Sequence, residues 1–472
     1  MRTLLAPGAL LALVSIAACS RGDSPPARPS PQPVATTAES SSASEQADGL
    51  ATLSAAVKLV AQEYSLAVDG SGAVKDDTEL AEAELFADQA RLKYQRLAAQ
   101  VKTAPPEVVA LAGRLIDDLG SAVTARKAPA EVQRLSAEAA TALASLGPAE
   151  SRATAGLRAA TEQADRAIEA ERLDGDYRIG VVVEPPREVA RRAGDGSVSR
   201  SAPPAEARSY VGIVLRERRT KRFLPDARVS LDVLGGDGSV VTNVDLESLW
   251  GDYPQYGGHL AEIPAAGRLR VRVEPPHHAR HGDMLARVAK PGQVEFEFAT
   301  QAGRPSLPPE PPGPIDSDYA VGDDILQGFA ESLYLTDVGD YRIGFIAEAP
   351  EPYWLWKEGP QLRAVEPDDN FHVEVILQDA PSGLLVPGAT VTVTLTPKAG
   401  GKPVVAHLHG LLSVFQHYGE TLRVPPGEYA VRVDVEPPAL ALVDGERFLE
   451  PASIEFVWRA EPRATPPDAE EG

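Results

Sequence analysis

Apolar residues recur at helical spacing from Leu50 to about Leu173. Leu53, Val57, Val60 and Ala61 form one stripe. Leu80, Ala83, Leu85, Phe86 and Ala90 form another, with Thr78 before it as a candidate N-cap. Pro105-Pro106, Pro129 and Gly147-Pro148 break this pattern and restart it, because proline ends one helix but suits the first turn of the next. Four antiparallel helices over 50–173 are the economical arrangement. Past residue 173 the period changes: Val, Thr and Pro become frequent, apolar residues alternate, and turn residues recur at short intervals. The chain reads as an α+β multidomain protein, an N-terminal α-helical bundle followed by two tandem all-β sandwiches.

The two sandwiches follow from an internal repeat. Gly175-Asp176-Tyr177-Arg178-Ile179-Gly180 returns as Gly339-Asp340-Tyr341-Arg342-Ile343-Gly344, a lag of 164 residues. Leu224–Val229 matches Val386–Val391, Tyr256-Gly257 matches Tyr418-Gly419, and Val273–Pro276 matches Val435–Pro438, all at a lag of 162. Val294-Glu295-Phe296 matches Ile454-Glu455-Phe456 at 160. A near-constant lag through five landmarks marks one duplicated domain. The copies are expected over 174–301 and 336–460, with a Pro-rich linker over 302–335 and an acidic tail over 461–472.

Met1-Arg2 precedes an apolar run from Leu4 to Ala18, too short to span a bilayer but fitting a secretory signal over 1–18. It ends Ile16-Ala17-Ala18-Cys19, which resembles a bacterial lipobox, and Cys19 is the only cysteine in the chain. The resemblance implies lipidation of Cys19; Ser20 after it favours an outer-membrane lipoprotein facing the periplasm. Residues 19–49, rich in Pro and Ser, are expected to be a disordered tether, so that the membrane is met through the lipid alone. A net charge of −22 argues against nucleic acid as a partner, since a polyanion needs a basic surface. A single cysteine excludes a disulfide framework and a Cys-rich zinc site, and two methionines exclude a Met-rich copper site. Gly-x-Ser-x-Gly, His-Glu-x-x-His and phosphate-loop motifs are all missing, so the expectation is a protein that binds and does not catalyse.

All eight histidines lie at or beyond residue 259, and four fall in the second copy: His372, His407, His409 and His417. In Phe371-His372-Val373-Glu374 the strand period puts His372 and Glu374 on one face, and His407 and His409 have the same spacing. Imidazole and carboxylate on strands suit Cu²⁺, Zn²⁺ or Fe²⁺. A solvated strand face also produces His-x-Glu.

The order His372-Val373-Glu374, His417-Tyr418-Gly419, Pro426–Tyr429, Val435–Pro438 and Ile454–Phe456 resembles the periplasmic iron-transport-associated proteins, an acidic copper- and iron-binding family of high-affinity iron uptake. Tyr341–Gly344 with Tyr353-Trp354 is similar to the haloarchaeal version. This resemblance implies immunoglobulin-like sandwiches that dimerise around their metal sites, Fe²⁺ or Cu²⁺ as the ion, and His372, Glu374 and His417 as ligands. Two positions depart from the family's pattern. Its Met falls near Gly410 and Leu411, where His409 or His407 would have to substitute. Its late histidine has no counterpart in 439–450. In the first copy the early positions are Tyr210, Gly212 and Gln255, yet Arg280-His281 stands where the late histidine belongs, beside His277 and His278. Two readings stay open: a site shared across an intramolecular pseudo-dimer (a homodimer being the intermolecular form), or a degenerate first copy of structural role.

Leu59–Tyr64, Ala67–Gly70 and Glu79–Phe86 resemble the periplasmic extension of some bacterial iron permeases. Glu79 and Glu82 share a helix face after Asp76-Asp77, and a solvated acidic first turn accounts for them equally. The Arg216–Lys221 run is expected to be a solvated strand end or loop. Together these readings describe a lipid-anchored protein that presents metal to an iron permease or other inner-membrane uptake component. A scaffold lipoprotein with incidental histidines is the alternative from another class.

Overall fold

The computed structural model describes residues 38–101, 104–147, 151–192, 197–281, 284–313, 328–356, 359–413, 416–438, 440–443, 447–448 and 450–461. The signal segment, Cys19 and most of the tether lie outside the described residues, as do 462–472 and the middle of the linker.

Four helices form the bundle: α1 (Ala38–Ala67), α2 (Asp77–Ala98), α3 (Pro106–Thr124) and α4 (Pro129–Ala144). Leu53, Val57, Val60, Leu80, Ala83, Phe86 and Ala90 all face its core, joined by Ile116, Leu119, Val132 and Leu143. Pro106 and Pro129 each open their helix at the first turn, where a missing N–H costs nothing. The start of α2 lies earlier than expected: Thr78 is inside the helix, and the Asp76 carboxylate accepts from the Glu79 N–H at 3.3 Å. Residues 38–49, expected as part of the tether, belong to α1, and Asp48 among them is buried.

The helical region also ends earlier than 173. A fifth helix, α5 (Arg152–Ala167), capped by the Ser151 hydroxyl, leaves the bundle. Its Leu157, Ala160 and Ala164 join a core built mainly by the second sandwich. Gly156 lies so close to the Ser382 carbonyl that a Cβ there would collide with it. The strand Ala170–Asp174 then pairs with Tyr177–Glu184. α5 and that strand therefore belong with the β region, because their apolar faces point there.

In the first sandwich, Tyr177–Glu184, Ser209–Glu217 and Gln255–Leu260 form one sheet; Arg228–Gly235, Ala266–Glu274 and Gly292–Gln301 form the other. The long strand Val240–Trp250 serves both. Ile179, Val181, Ile213 and Leu215 meet Leu231, Val233, Leu269, Val271 and Phe296 between the sheets. The second sandwich repeats this plan with Tyr341–Glu348, Phe371–Asp379 and Gln416–Leu422 against Thr390–Pro397, Gly427–Glu436 and Ala452–Ala460.

The copies exchange arms. Ala279–Arg280 of the first copy runs parallel to His409–Leu412 of the second, pairing Ala279 with Leu411 and Arg280 with Leu412. Reciprocally, Ala441–Leu442 runs parallel to Val240–Trp250, pairing Ala441 with Leu249 and Leu442 with Trp250. Every residue of one exchange lies 162 positions from its counterpart in the other, the lag of the repeat. The exchange is isologous, like a two-fold interface written into one chain.

Two expectations change here. The linker over 302–335 is ordered at both ends: Glu310 exchanges backbone hydrogen bonds with Glu169 and Glu171, while Phe329 and Ala330 sit in the cores. The Arg216–Lys221 run begins as a buried network. Arg216 is fully enclosed and bridges Asp165 at 2.7 Å and Glu171 at 2.6 Å; Lys221 reaches Asp165 at 3.0 Å. Charges that meet partners on α5 and the neighbouring strand can leave solvent.

Candidate metal centre

The strand Phe371–Asp379 is buried at every position, so both of its faces are covered. His372 and Glu374 project from it on one face. His417 comes from the adjacent strand Gln416–Leu422, and His281 arrives on the exchanged arm, its N–H donating to the Leu412 carbonyl at 3.3 Å. One ligand atom from each of His281, His372, Glu374 and His417 lies within 4.8 Å of the others, and all four residues are buried. Glu374 Oε1 is 3.2 Å from His417 Nε2 and 3.5 Å from His372 Nε2.

The surroundings orient the imidazoles. The Thr421 hydroxyl donates its single proton to the Glu351 carbonyl at 2.8 Å, so toward His372 Nδ1, at 2.9 Å, it must accept. His372 therefore carries its proton on Nδ1, and its Nε2, buried without a hydrogen bond, presents a lone pair. The Glu351 carboxylate holds His281 Nδ1 at 3.0 Å and leaves His281 Nε2 likewise buried without a hydrogen bond. Ser413 Oγ stands 3.4 Å from His417 Nδ1. Such outer partners are what ligating histidines normally have. Gly419 has no Cβ because His372 Nε2 and Leu411 occupy that space.

Electrostatics match a site that holds a cation. Burial, reinforced by His281, pushes His372 down to about 3, so its imidazole is neutral. Burial, then the charges of Glu331 and Glu351, push the Glu374 carboxyl well above its ordinary range. The buried Nε2 atoms of His281 and His372, which have no hydrogen bond, fit a cation as their partner. Three imidazoles and a carboxylate, with no thioether, suit Cu²⁺, Fe²⁺ or Zn²⁺ better than Cu⁺.

Four of the six histidine and glutamate positions singled out from the sequence thus converge, and two do not. His407 ends the strand Val404–His407 in one sheet, and His409 begins the strand His409–Leu412 in the other. The chain crosses between sheets at Leu408, so the two do not share a face. His407 Nδ1 meets Thr392 Oγ1 at 3.0 Å, and His409 is exposed, 3.6 Å from Glu420. Leu411, fully buried, fills the position where the resemblance implies Met. Two residues that support the centre do not stand out in the sequence. Thr421 continues the alternation His417, Gly419, Thr421 and was reachable by period alone; Glu351 lies in a loop and carries no such signal.

Among the described residues the first copy has no equivalent centre. The counterparts of His372, His417 and His281 are Tyr210, Gln255 and Val443. Tyr210, Val189, Leu249 and Ala441 pack together with Val443 at its edge, and Gln255 Oε1 occupies the space a side chain at Gly212 would need. The first copy thus lacks the early donor residues, while its His281 lies beside the donors of the second copy.

A second group lies in the bundle. Carboxylate oxygens of Glu63 on α1 and of Glu79 and Glu82 on α2 lie within 4.8 Å of one another. Burial, then Glu79, Glu82 and Glu331, push Glu63 up to about 8. Glu348 is raised by enclosure and by Glu374, Glu331, Glu351 and Glu82.

The fold and site thus define a four-helix bundle carrying two arm-exchanged sandwiches with one candidate centre between them. Residues 39–150 match the family of the iron permease-associated 4-helix bundle domain. Among solved structures, a copper-bound variant of FetP from uropathogenic Escherichia coli is similar at 14% identity, over 28% of this chain and 95% of that one, with a TM-score of 0.22. The copper-reconstituted P19 protein of Campylobacter jejuni is similar at 12% identity, over 28% and 96%, with a TM-score of 0.22. No curated protein matches the chain. Among the described residues no helix is long and apolar enough to cross a membrane.

Proposed function

We propose that this chain is a lipid-anchored periplasmic protein that binds Cu²⁺ or Fe²⁺ at His281, His372, Glu374 and His417 and presents iron to an uptake permease. One observation carries the reading: four buried donors from both copies converge, with the free Nε2 atoms of His281 and His372 directed by outer partners. The bundle's match to an iron permease-associated domain supports the partner. The apolar leader ending in Cys19 supports export and anchoring at the outer membrane. The ion is cargo, and the chain's part is to hold and release it.

Copper titration of the soluble chain from residue 20 onward tests this, followed by visible absorption and electron paramagnetic resonance. One equivalent with nitrogen hyperfine structure is expected. His281→Ala, His372→Ala and His417→Ala should each weaken it at least tenfold, because a rigid sheet cannot supply replacements. Failure to bind stoichiometric Cu²⁺, Fe²⁺ or Zn²⁺ at neutral pH would leave an interaction scaffold instead.

A further inference from the structure

The junction between the bundle and the second sandwich encloses a cavity of about 550 Å³, a size typical of small-molecule sites. α1 supplies Asp48 to its wall, and α2 supplies Lys93 and Arg96, three residues apart on one helix face. Arg152 enters from the start of α5, while Asp337 and Arg342 come from the sandwich. Four cations thus line the cavity against two carboxylates, in a chain whose net charge is −22. Leu97, Leu333, Leu335 and Phe329 give the same wall an apolar part.

The two carboxylates do not use up the cations. Arg152 and Arg342 each meet Asp48 and Asp337 through Nε and Nη2, which leaves both Nη1 groups for another acceptor. Among the described residues neither Lys93 nor Arg96 forms a salt bridge. Lys93 donates to the carbonyls of Ala330 and, at 3.5 Å, Phe329, so one of its three protons remains. Burial pushes its ammonium down to about 8, with Glu331 opposing the fall and Arg96 adding to it. An anion in the cavity would meet these unused donors together. A bare oxyanion such as sulfate would leave the apolar wall to water. An acid with a carbon skeleton and several carboxylates can span the cations while its carbon packs on Leu97 and Phe329.

We propose that this junction cavity binds a small organic polycarboxylate, held by Lys93 and Arg96 from the bundle and by Arg152 and Arg342 from the other side. Such a ligand touches both the bundle and the second sandwich, so its binding also fastens the two together. This inference does not depend on the histidine centre, none of whose four donors lines the cavity.

Propane-1,2,3-tricarboxylate is the probe, because it carries three carboxylates and, on metal-free protein, cannot act through a bound ion. The full chain without its signal segment is titrated by calorimetry at pH 7 and low ionic strength, where the charges are least screened. It is compared as wild type, as Lys93→Gln/Arg96→Gln, and as Arg96→Glu. One equivalent should bind to the wild type and raise its thermal midpoint. Both variants should bind at least tenfold more weakly and lose that rise. Lys93 also holds the Ala330 carbonyl, so Arg96→Glu is the variant that leaves the fold alone: Arg96 is exposed, and helical circular dichroism checks that the chain is intact. Sulfate at the same concentration should not displace the probe. Absence of uptake by the wild type would overturn the site, as would full affinity in Arg96→Glu. Equal competition by sulfate would overturn the ligand class, because the apolar wall would then contribute nothing.

Discussion

His372 and Glu374 hold opposite proton debts, and a cation settles both. Unfolded, an imidazole takes up a proton below about pH 6.5; in the fold His372 does so only near about 3. Between these values the unfolded state binds more protons. The metal-free fold therefore loses stability as pH falls through that window, at up to about 1.4 kcal/mol per pH unit. Glu374 acts the other way: its folded value is raised, so it favours the fold in acid and costs stability as pH rises above about 4.5. Metal needs the imidazole neutral and the carboxylate ionised. An acid limit near pH 5.5, the expectation for an ordinary histidine, thus does not come from His372; protons compete with metal at Glu374. As pH is lowered, Cu²⁺ binding should release a growing share of a proton from Glu374, visible in calorimetry as an enthalpy that changes with the ionisation heat of the buffer. Glu374→Gln should remove that dependence and bind more weakly. A buffer-independent enthalpy in the wild type would mean that Glu374 is already ionised.

At the scale of elements, the arm Ala279–Arg280 decides whether the centre is complete. Arg280 is fully buried; its guanidinium donates to the carbonyls of Arg287 at 2.8 Å, Pro276 at 3.1 Å and Val288 at 3.2 Å, and lies 4.2 Å from the Trp356 ring centre. It clamps the arm one residue before His281. Arg280→Ala leaves buried acceptors without a donor and should free the arm, so Cu²⁺ affinity should fall as far as in His281→Ala, although Arg280 meets no metal. The double variant should bind no worse than His281→Ala alone, the result of a cycle in which both changes remove one ligand. Additive losses would give Arg280 a separate role. The arm also marks the limit of what the chain declares about itself. Helical stripes and the 162-residue lag are periodic, so the bundle, the duplication and the face shared by His372 and Glu374 were legible. A two-residue strand has no period, and its partners lie 74 and 132 positions away. His281 could be aligned with a missing histidine, but not placed. His407 and His409 misled because their spacing of two assumes one strand, whereas the chain changes sheets at Leu408.

For the whole molecule, the question is how the bundle is held against the sandwiches that it covers. Asp48 of α1, 5% exposed, receives the Arg152 backbone N–H at 2.6 Å, Arg152 Nε at 2.7 Å and Arg342 Nη2 at 2.7 Å. One carboxylate thereby ties the bundle to α5 and to the first large strand of the second sandwich. Asp337 completes the group by meeting both arginines. Burial works against the Asp48 charge, but Arg342 and then Arg152 outweigh it and hold the carboxyl below its ordinary value. The tie is thus fully present above about pH 3.8 and is lost only as pH falls through the lowered folded value. Lys93, which reaches the Ala330 carbonyl, and Phe329 in the sandwich core add further contact. Asp48→Ala removes one partner of a buried pair and leaves two arginines sharing Asp337, a change that costs about 3 kcal/mol in comparable settings. The loss falls at the junction, so it should separate domains before it unfolds either. Denaturant unfolding of the variant, followed by helical ellipticity and by tryptophan fluorescence, should give two midpoints where the wild type gives closer ones, since all four tryptophans lie beyond residue 249. Cu²⁺ affinity should change little, because the four donors belong to the sandwiches. Coincident midpoints and unaltered stability would show that the bundle is docked by its apolar contacts alone.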